Sequence, residues 1–154
     1  MGKLVPGDAA PEFVAEDAQG KTWRLADLRG NKVILYFYPA DDTPGCTAQA
    51  CDFRDAHSEL SDLGYIVLGA SPQGAGSHES FATKYSLNFP LLVDEDMSLA
   101  SAYCATGEFG EFEGIPLTVQ RATFMIDEQG TIEQALYGVN ARTHVAALKD
   151  SFAR

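Results

Sequence analysis

Runs of β-branched and aromatic residues alternate along the chain with a segment whose apolar positions have helical spacing. The runs 32–38 (KVILYFY), 65–71 (YIVLGAS) and 89–94 (FPLLVD) are nearly continuous, which is typical of strands buried on both faces. Between the first two runs, spacings of three and four residues predict a helix from about Pro44 to Leu63. Its predicted apolar stripe consists of Cys46, Ala50, Phe53, His57, Leu60 and Leu63.

Shorter elements precede and follow these strands. Residues 13–28 predict two short strands, or a strand and a turn, around Asp17–Gly20. Ser77 is placed to cap a helix that continues to about Ser86. Residues 97–104 predict a further short helix.

The chain closes with a predicted β-hairpin and a helix. RATFMID and TIEQALYG predict two strands joined by a turn at DEQG, and the last helix is expected over about Ala141–Phe152 with Asn140 as its cap. The segment 105–120 before them shows no clear period. A hairpin and a helix after two βαβ units is the order of a thioredoxin-like α/β domain. We therefore expect a single domain over residues 1–154, with a central mixed sheet flanked by helices and an N-terminal β extension.

The composition of the chain limits which classes of binding partner and which cellular location are expected. The 154 residues include 22 acidic and 11 basic side chains, for a net charge of −11, which disfavours nucleic acid and anionic membranes as partners. The longest uncharged apolar run, Val33–Ala40, is too short to cross a bilayer. The N-terminal residues have no apolar stretch of signal-peptide length. The expected location is the cytoplasm.

The chain has three cysteines, which could be structural or chemically reactive. An odd, low count in a chain expected in the cytoplasm does not indicate a disulfide framework, so a close pair is better explained as catalytic, redox-active or metal-binding. Cys46 and Cys51 are that pair. No spacing of cysteines and histidines predicts a zinc site, and no motif for haem or flavin occurs. Cys104 is expected to be a packing cysteine.

Cys46 falls in the first turn of the predicted helix. Thr43 is a suitable N-cap, and Pro44 has its φ already set for the first helical position. The free N–H groups and the dipole at a helix N-terminus favour a thiolate, which is the nucleophilic form of cysteine. The alternative is a buried cysteine that acts as a small hydrophobic residue. Cys51 by itself is expected in the core, whereas beside a reactive thiol it is a candidate resolving thiol.

The stretch FYPADDTPGCTAQACDFRD resembles the active-site signature of the peroxiredoxins, in the atypical two-cysteine branch called bacterioferritin comigratory protein or peroxiredoxin Q. SHESFATKYSLNFPLLVDED and RATFMIDEQGTI are similar to further stretches of that family, so the resemblance extends from about Pro6 to the C-terminal helix. It implies that Cys46 is the peroxidatic cysteine and Cys51 the resolving one. It also implies that Pro39, Thr43 and Arg121 complete the site.

The implied activity is that of a thiol-dependent peroxidase. Cys46 would reduce hydrogen peroxide or an alkyl hydroperoxide and become a sulfenic acid, Cys51 would condense with it to a disulfide, and thioredoxin or a similar dithiol would reduce that disulfide. No cofactor is implied, and we expect a monomer, with a dimer left open. The alternatives are a thioredoxin-like protein disulfide oxidoreductase, which would use C-x-x-C spacing, and a non-catalytic binding module.

The chemistry of the other implied residues fits these roles. The Thr43 hydroxyl both donates and accepts hydrogen bonds, although N-capping alone would also explain it. Arg121 supplies a permanent charge suited to a thiolate and a departing oxyanion, with a solvated arginine before a strand as the alternative. Pro39 lacks an N–H and would shield the thiolate from water.

Outside the motif, each polar candidate has a plain structural interpretation. His57 is expected to pack between helices, and His78 to face solvent after a capping serine. Asp94–Asp96 are expected to form a solvated turn and helix cap, with a divalent cation site as the alternative.

Overall fold

The computed structural model describes residues 3–152 and consists of short strands and four α-helices around one main sheet. The helices are α1 (Pro44–Asp62), α2 (Ala75–Lys84), α3 (Ser98–Ala102) and α4 (His144–Phe152). The strands are β1 (Val14–Glu16), β2 (Thr22–Arg24), β3 (Lys32–Phe37), β4 (Tyr65–Ser71), β5 (Leu91–Val93), β6 (Glu111–Phe112), β7 (Ile115–Pro116), β8 (Ala122–Ile126) and β9 (Ile132–Tyr137).

The main sheet has the strand order β5-β4-β3-β8-β9. β3 runs parallel to β4 and antiparallel to β8, so the sheet is mixed, as predicted. β3 occupies the centre because its side chains are apolar on both faces. Val33, Leu35 and Phe37 enter one core, while Ile34 and Tyr36 enter the other.

Helices cover both faces of this sheet. α1, α4 and Phe81 of α2 pack on the face of Ile34 and Tyr36. α3 and the N-terminal segment, including Phe13, pack on the opposite face. The β1–β2 hairpin is the predicted N-terminal β extension, and a 3₁₀ helix at Leu25–Leu28 connects it to β3.

Two helices begin at a different residue from the one predicted. α2 starts at Ala75 after an extended Gly74, so Ser77 lies within its first turn instead of capping it. α4 starts at His144, three residues after the predicted start. The Asn140 side chain accepts a hydrogen bond from the Arg142 N–H and forms a turn there, which delays the helix.

The buried face of α1 also differs from the predicted stripe. Gln49 and Ala56 are buried, His57 is half-buried, and Leu63 is 47% exposed. Leu63 turns outward because the helix ends at Asp62 and Leu63 is its C-terminal cap, followed by the left-handed Gly64.

Asp94 is a cap, as predicted, but it is not solvated. Its buried carboxylate accepts hydrogen bonds from the backbone N–H groups of Leu99 and Ala100 in α3. Burial raises the pKa of this carboxyl, and the two N–H donors oppose that rise. Among residues 3–152, no helix is both long and apolar enough to span a bilayer.

Candidate active site

The loop between β3 and α1 carries two of the predicted site residues, Pro39 and Thr43. β3 ends at Phe37, and α1 begins at Pro44 after Thr43, whose extended backbone places it at the N-cap. The Thr43 side chain does not cap the helix, which corrects the prediction. Its hydroxyl instead donates to the Ala40 carbonyl at 2.9 Å, inside the loop. The Thr43 oxygen keeps its acceptor capacity in this arrangement.

Cys46 lies in the first turn of α1 and is only 1% exposed. It belongs to the same core cluster as Tyr36, Tyr38 and Phe53. Burial raises the pKa of Tyr36 well above its usual value, and negative charge on Cys46 raises it further, which reflects the closeness of the two side chains. Cys46 therefore combines a helix N-terminus, which favours a thiolate, with an apolar surrounding that excludes water.

Arg121 reaches the first turns of α1 from the neighbouring strand. It immediately precedes Ala122, which pairs with Phe37 at the end of β3, so the sheet register places it beside the loop. Its Nη1 donates to Gln49 Oε1 at 3.1 Å. Its Nη2 lies so close to Gly45 that a Cβ there would meet it at 2.7 Å. A side chain at position 45 would push the guanidinium aside, so Gly45 leaves room for it beside the residue that precedes Cys46.

These residues enclose a cavity of about 210 Å³. Pro39, Thr43 and Arg121 form one side of it, and Phe112 and Leu117, from and beside the β6–β7 hairpin, form an apolar wall. Pro44 and Gly45 complete the lining. The structure thus brings three of the predicted residues into one cavity at the first turn of the helix that bears Cys46.

Cys51 is not brought to Cys46 in this state. It is half-buried further along the same helix, and both thiols are free. α1 is continuous from Pro44 to Asp62, so the two cysteines are held apart by helical geometry.

Sequence reasoning missed two contributors to this site. Gln49 is fully buried, and its Oε1 holds Arg121, while its Nε2 has no hydrogen-bond partner among the described residues. The available signal was its position three residues after Cys46, on the buried side of an amphipathic helix. Phe112 belongs to a strand of two residues, which is too short to give a periodic pattern.

The candidates outside the motif, which are Cys104, His57 and His78, occupy structural positions in the fold. Cys104 is half-buried after α3 with a left-handed φ of 60°, and His57 is half-buried on α1. The prediction that His78 faces solvent is wrong, because its side chain is 0% exposed and bonded at both ring nitrogens. Within the part of the chain that the structure describes, no three potential metal ligands form a cluster.

Comparison with known proteins places this geometry in a family. Residues 6–135 match the profile of the AhpC/TSA family. The chain belongs to this family. It is 38% identical over 140 residues to Peroxiredoxin Bcp of Bacillus subtilis strain 168, covering 91% of this chain and 89% of that protein.

Solved structures agree with the sequence comparison. A peroxiredoxin Q structure from Xanthomonas campestris has a TM-score of 0.84 at 29% identity, covering 98% of this chain and 96% of that one. A PrxQ mutant of Xylella fastidiosa has a TM-score of 0.89 at 25% identity, covering 99% and 97%. The predicted thioredoxin-like fold is therefore confirmed. The chain is a peroxiredoxin, a thiol-dependent peroxidase that acts on peroxides with a thiol reductant. The disulfide oxidoreductase and binding-module alternatives are set aside.

Proposed function

We propose that this peroxiredoxin reduces hydrogen peroxide and alkyl hydroperoxides through Cys46 and Cys51, with Pro39, Thr43 and Arg121 around the reacting sulfur. The observation that carries the proposal is the cavity where Pro39, Thr43 and Arg121 meet at the first turn of α1, the turn that contains Cys46. The apolar wall from Phe112 and Leu117 favours an alkyl substituent on the substrate.

The first step is a displacement at oxygen. The Cys46 thiolate attacks one peroxide oxygen, an S–O bond forms, the O–O bond breaks, and the other oxygen leaves as water or an alcohol after taking up a proton. Negative charge moves from sulfur to the departing oxygen during this step. Arg121 stabilises that charge, and the Thr43 oxygen accepts a hydrogen bond from the peroxide.

The second step joins the two cysteines. The Cys51 sulfur attacks the Cys46 sulfenic acid, so that an S–S bond forms and the hydroxyl group leaves as water. A dithiol protein then reduces the disulfide by exchange, and we propose thioredoxin as that reductant. We propose the cytoplasm as the location, because the cycle needs a compartment in which dithiols are regenerated. We propose a monomer, since both cysteines of the cycle belong to one chain.

A matched pair of serine variants tests this proposal. We expect Cys46→Ser to abolish peroxide consumption coupled to thioredoxin and its reductase, because a serine hydroxyl is not ionised at neutral pH. Cys104→Ser removes a thiol outside the cavity and is expected to keep nearly full turnover. Retained activity in Cys46→Ser would overturn the assignment, and so would a Cys46–Cys104 linkage in peptides from the oxidised protein.

A further inference from the structure

A buried histidine contacts a buried carboxyl group of the loop that carries Pro39 and Thr43. His78, on α2, is 0% exposed, and the Asp41 side chain is 4% exposed. His78 Nδ1 lies 2.6 Å from Asp41 Oδ2, and His78 Nε2 lies 2.8 Å from the Leu92 carbonyl oxygen in β5. The imidazole therefore links the active-site loop to the edge strand of the sheet.

The partners of the ring nitrogens determine where the protons lie. The Leu92 carbonyl only accepts hydrogen bonds, so Nε2 must donate to it. Asp41 Oδ2 also accepts from the Ser77 hydroxyl at 2.8 Å, and Oδ1 accepts from the Tyr38 hydroxyl at 2.6 Å. The Asp41 carboxyl therefore has three side-chain partners, which are His78, Ser77 and Tyr38. Both ring nitrogens and both carboxyl oxygens have a hydrogen-bond partner, as buried polar groups require.

Further bonds hold the same loop from the same side. The Gln73 side chain accepts from the Asp41 N–H at 3.0 Å and donates to the Pro39 carbonyl at 3.2 Å. The next residue, Asp42, has a left-handed φ of 57°, and its carboxylate accepts from Lys84 at 2.8 Å and from Tyr85 at 2.7 Å. The hydrogen bonds that hold the loop on this side of the molecule therefore come from residues 73–85.

We propose that His78 is a positioning residue for peroxide reduction. Through Asp41 it holds the loop 39–43 in the conformation that keeps Pro39 and Thr43 in the cavity beside the first turn of α1. His78 does not line the cavity, so it acts through Asp41 and not on the substrate. This inference rests on the proposed role of Cys46 as the peroxidatic residue. Displacement of catalytic groups by about 1 Å can lower a rate by about 100-fold, so a shift of the loop is expected to slow peroxide reduction.

Two substitutions at His78 separate its two hydrogen bonds. The amide nitrogen of an asparagine side chain lies near the position of Nδ1, so His78→Asn keeps a donor toward Asp41. The amide nitrogen of glutamine lies near the position of Nε2, so His78→Gln keeps a donor toward Leu92 and removes the one toward Asp41. Both variants lose the imidazole ring, so they are matched to each other.

The measurement is the single-turnover rate of Cys46 oxidation by hydrogen peroxide, compared with the rate of Cys46 alkylation by iodoacetamide. Alkylation needs an accessible thiolate but no peroxide-positioning groups. We expect His78→Gln to slow oxidation by about 10- to 100-fold without a comparable loss in alkylation. We expect His78→Asn to restore most of the oxidation rate.

A second variant and a control keep the test independent of folding. Asp41→Asn weakens the hydrogen bond between Asp41 and His78 from the loop side. Combined with His78→Gln, it is expected to slow oxidation no further, because both changes remove the same interaction. His144→Gln replaces another buried histidine, bonded to Thr123 in β8, and is expected to leave the oxidation rate unchanged.

Three results would overturn the inference: oxidation of His78→Gln at the wild-type rate, equal slowing in His78→Asn and His78→Gln, or alkylation slowed as much as oxidation. Failure of the proposed function has a different signature, namely peroxidase activity that survives in Cys46→Ser. The two failures are therefore distinguishable with the same set of proteins.

Discussion

At the scale of single residues, Arg121 shows how the fold recruits a charge to a buried thiol. Its guanidinium is held between Gln49 and Gly45, the residues on either side of Cys46 in the first turns of α1. The register between β3 and β8 pairs Phe37 with Ala122, which aligns the start of β8 with the start of the active-site loop. In the proposed mechanism this charge is therefore preorganised, so that no reorganisation is needed as the leaving oxygen becomes negative.

Removal of the Arg121 charge should slow the first step of the cycle, which is the oxidation of Cys46. We expect Arg121→Ala to slow single-turnover oxidation of Cys46 by about 100- to 1,000-fold, the effect of losing one preorganised donor. Stopped-flow mixing with hydrogen peroxide measures this rate, and Arg142→Ala is the matched control, because Arg142 is a cation outside the cavity lining. An unchanged rate in Arg121→Ala would return Arg121 to the role of a solvated arginine.

His144 gives a residue-scale prediction about stability. Burial lowers its pKa from 6.5 to about 4, while in the unfolded chain the imidazole keeps its ordinary value. As pH falls below about 6.5, the unfolded state binds a proton that the folded state refuses, so folding stability falls until pH reaches about 4. We expect this residue to account for a loss of about 2.5 kcal/mol between pH 7 and pH 4.5.

Urea unfolding at those two pH values measures the loss. His144→Gln cannot titrate and is expected to lose less stability than the wild type over the same interval. Equal losses in both proteins would show that His144 is not the group responsible.

At the scale of elements, α1 has two incompatible tasks. Its intact first turns hold Cys46 beside the cavity, yet five residues of helix separate two Cα atoms by about 8.6 Å. A disulfide requires Cα atoms within about 4.4–6.8 Å. Formation of the Cys46–Cys51 bond therefore requires the first turns to unwind. Ala48 and Ala50 between the cysteines are small, while Phe53 and Leu60 anchor the rest of the helix in the core.

Unwinding of these turns is directly observable. We expect oxidation by one equivalent of peroxide to reduce helical circular dichroism and to lower amide-exchange protection around residues 44–53, with protection retained beyond Phe53. Cys51→Ser, treated in the same way, is the control and should keep its protection, because no disulfide forms. A Cys46–Cys51 bond inside an unbroken helix would contradict this account.

The success of sequence reasoning also varied by element. β3 and β4 were predictable because their residues are apolar on both faces, and the start of α1 because Thr43 and Pro44 are strong local signals. The start of α2 was missed because Gly74, with no side-chain cap, begins it. The β6–β7 hairpin was missed because its strands have two residues each.

At the scale of the whole molecule, the burial of Gln49 and His78 was missed because each of these side chains pairs with a polar residue far away in the chain. The partners of Gln49 and His78 lie 72 and 37 residues away in the chain, so no local pattern shows that these side chains are buried. The site residues could be predicted from the sequence because four of them lie within one short motif, and the family resemblance implied the fifth, Arg121. The motif thus predicts which residues react, and the fold adds which buried polar side chains contact the loop and the helix that carry them.

In the proposed cycle, hydrogen peroxide is reduced to water while the Cys46 and Cys51 thiols of one molecule are oxidised to a disulfide. Mass spectrometry of the intact protein and its peptides after one equivalent of hydrogen peroxide tests this step. We expect loss of two hydrogens from the wild type, with peptides containing Cys46 and Cys51 linked within one chain, and a single added oxygen on Cys46 in Cys51→Ser. A wild-type product linked through Cys104, or oxidation that leaves Cys46 as a free thiol, would contradict it.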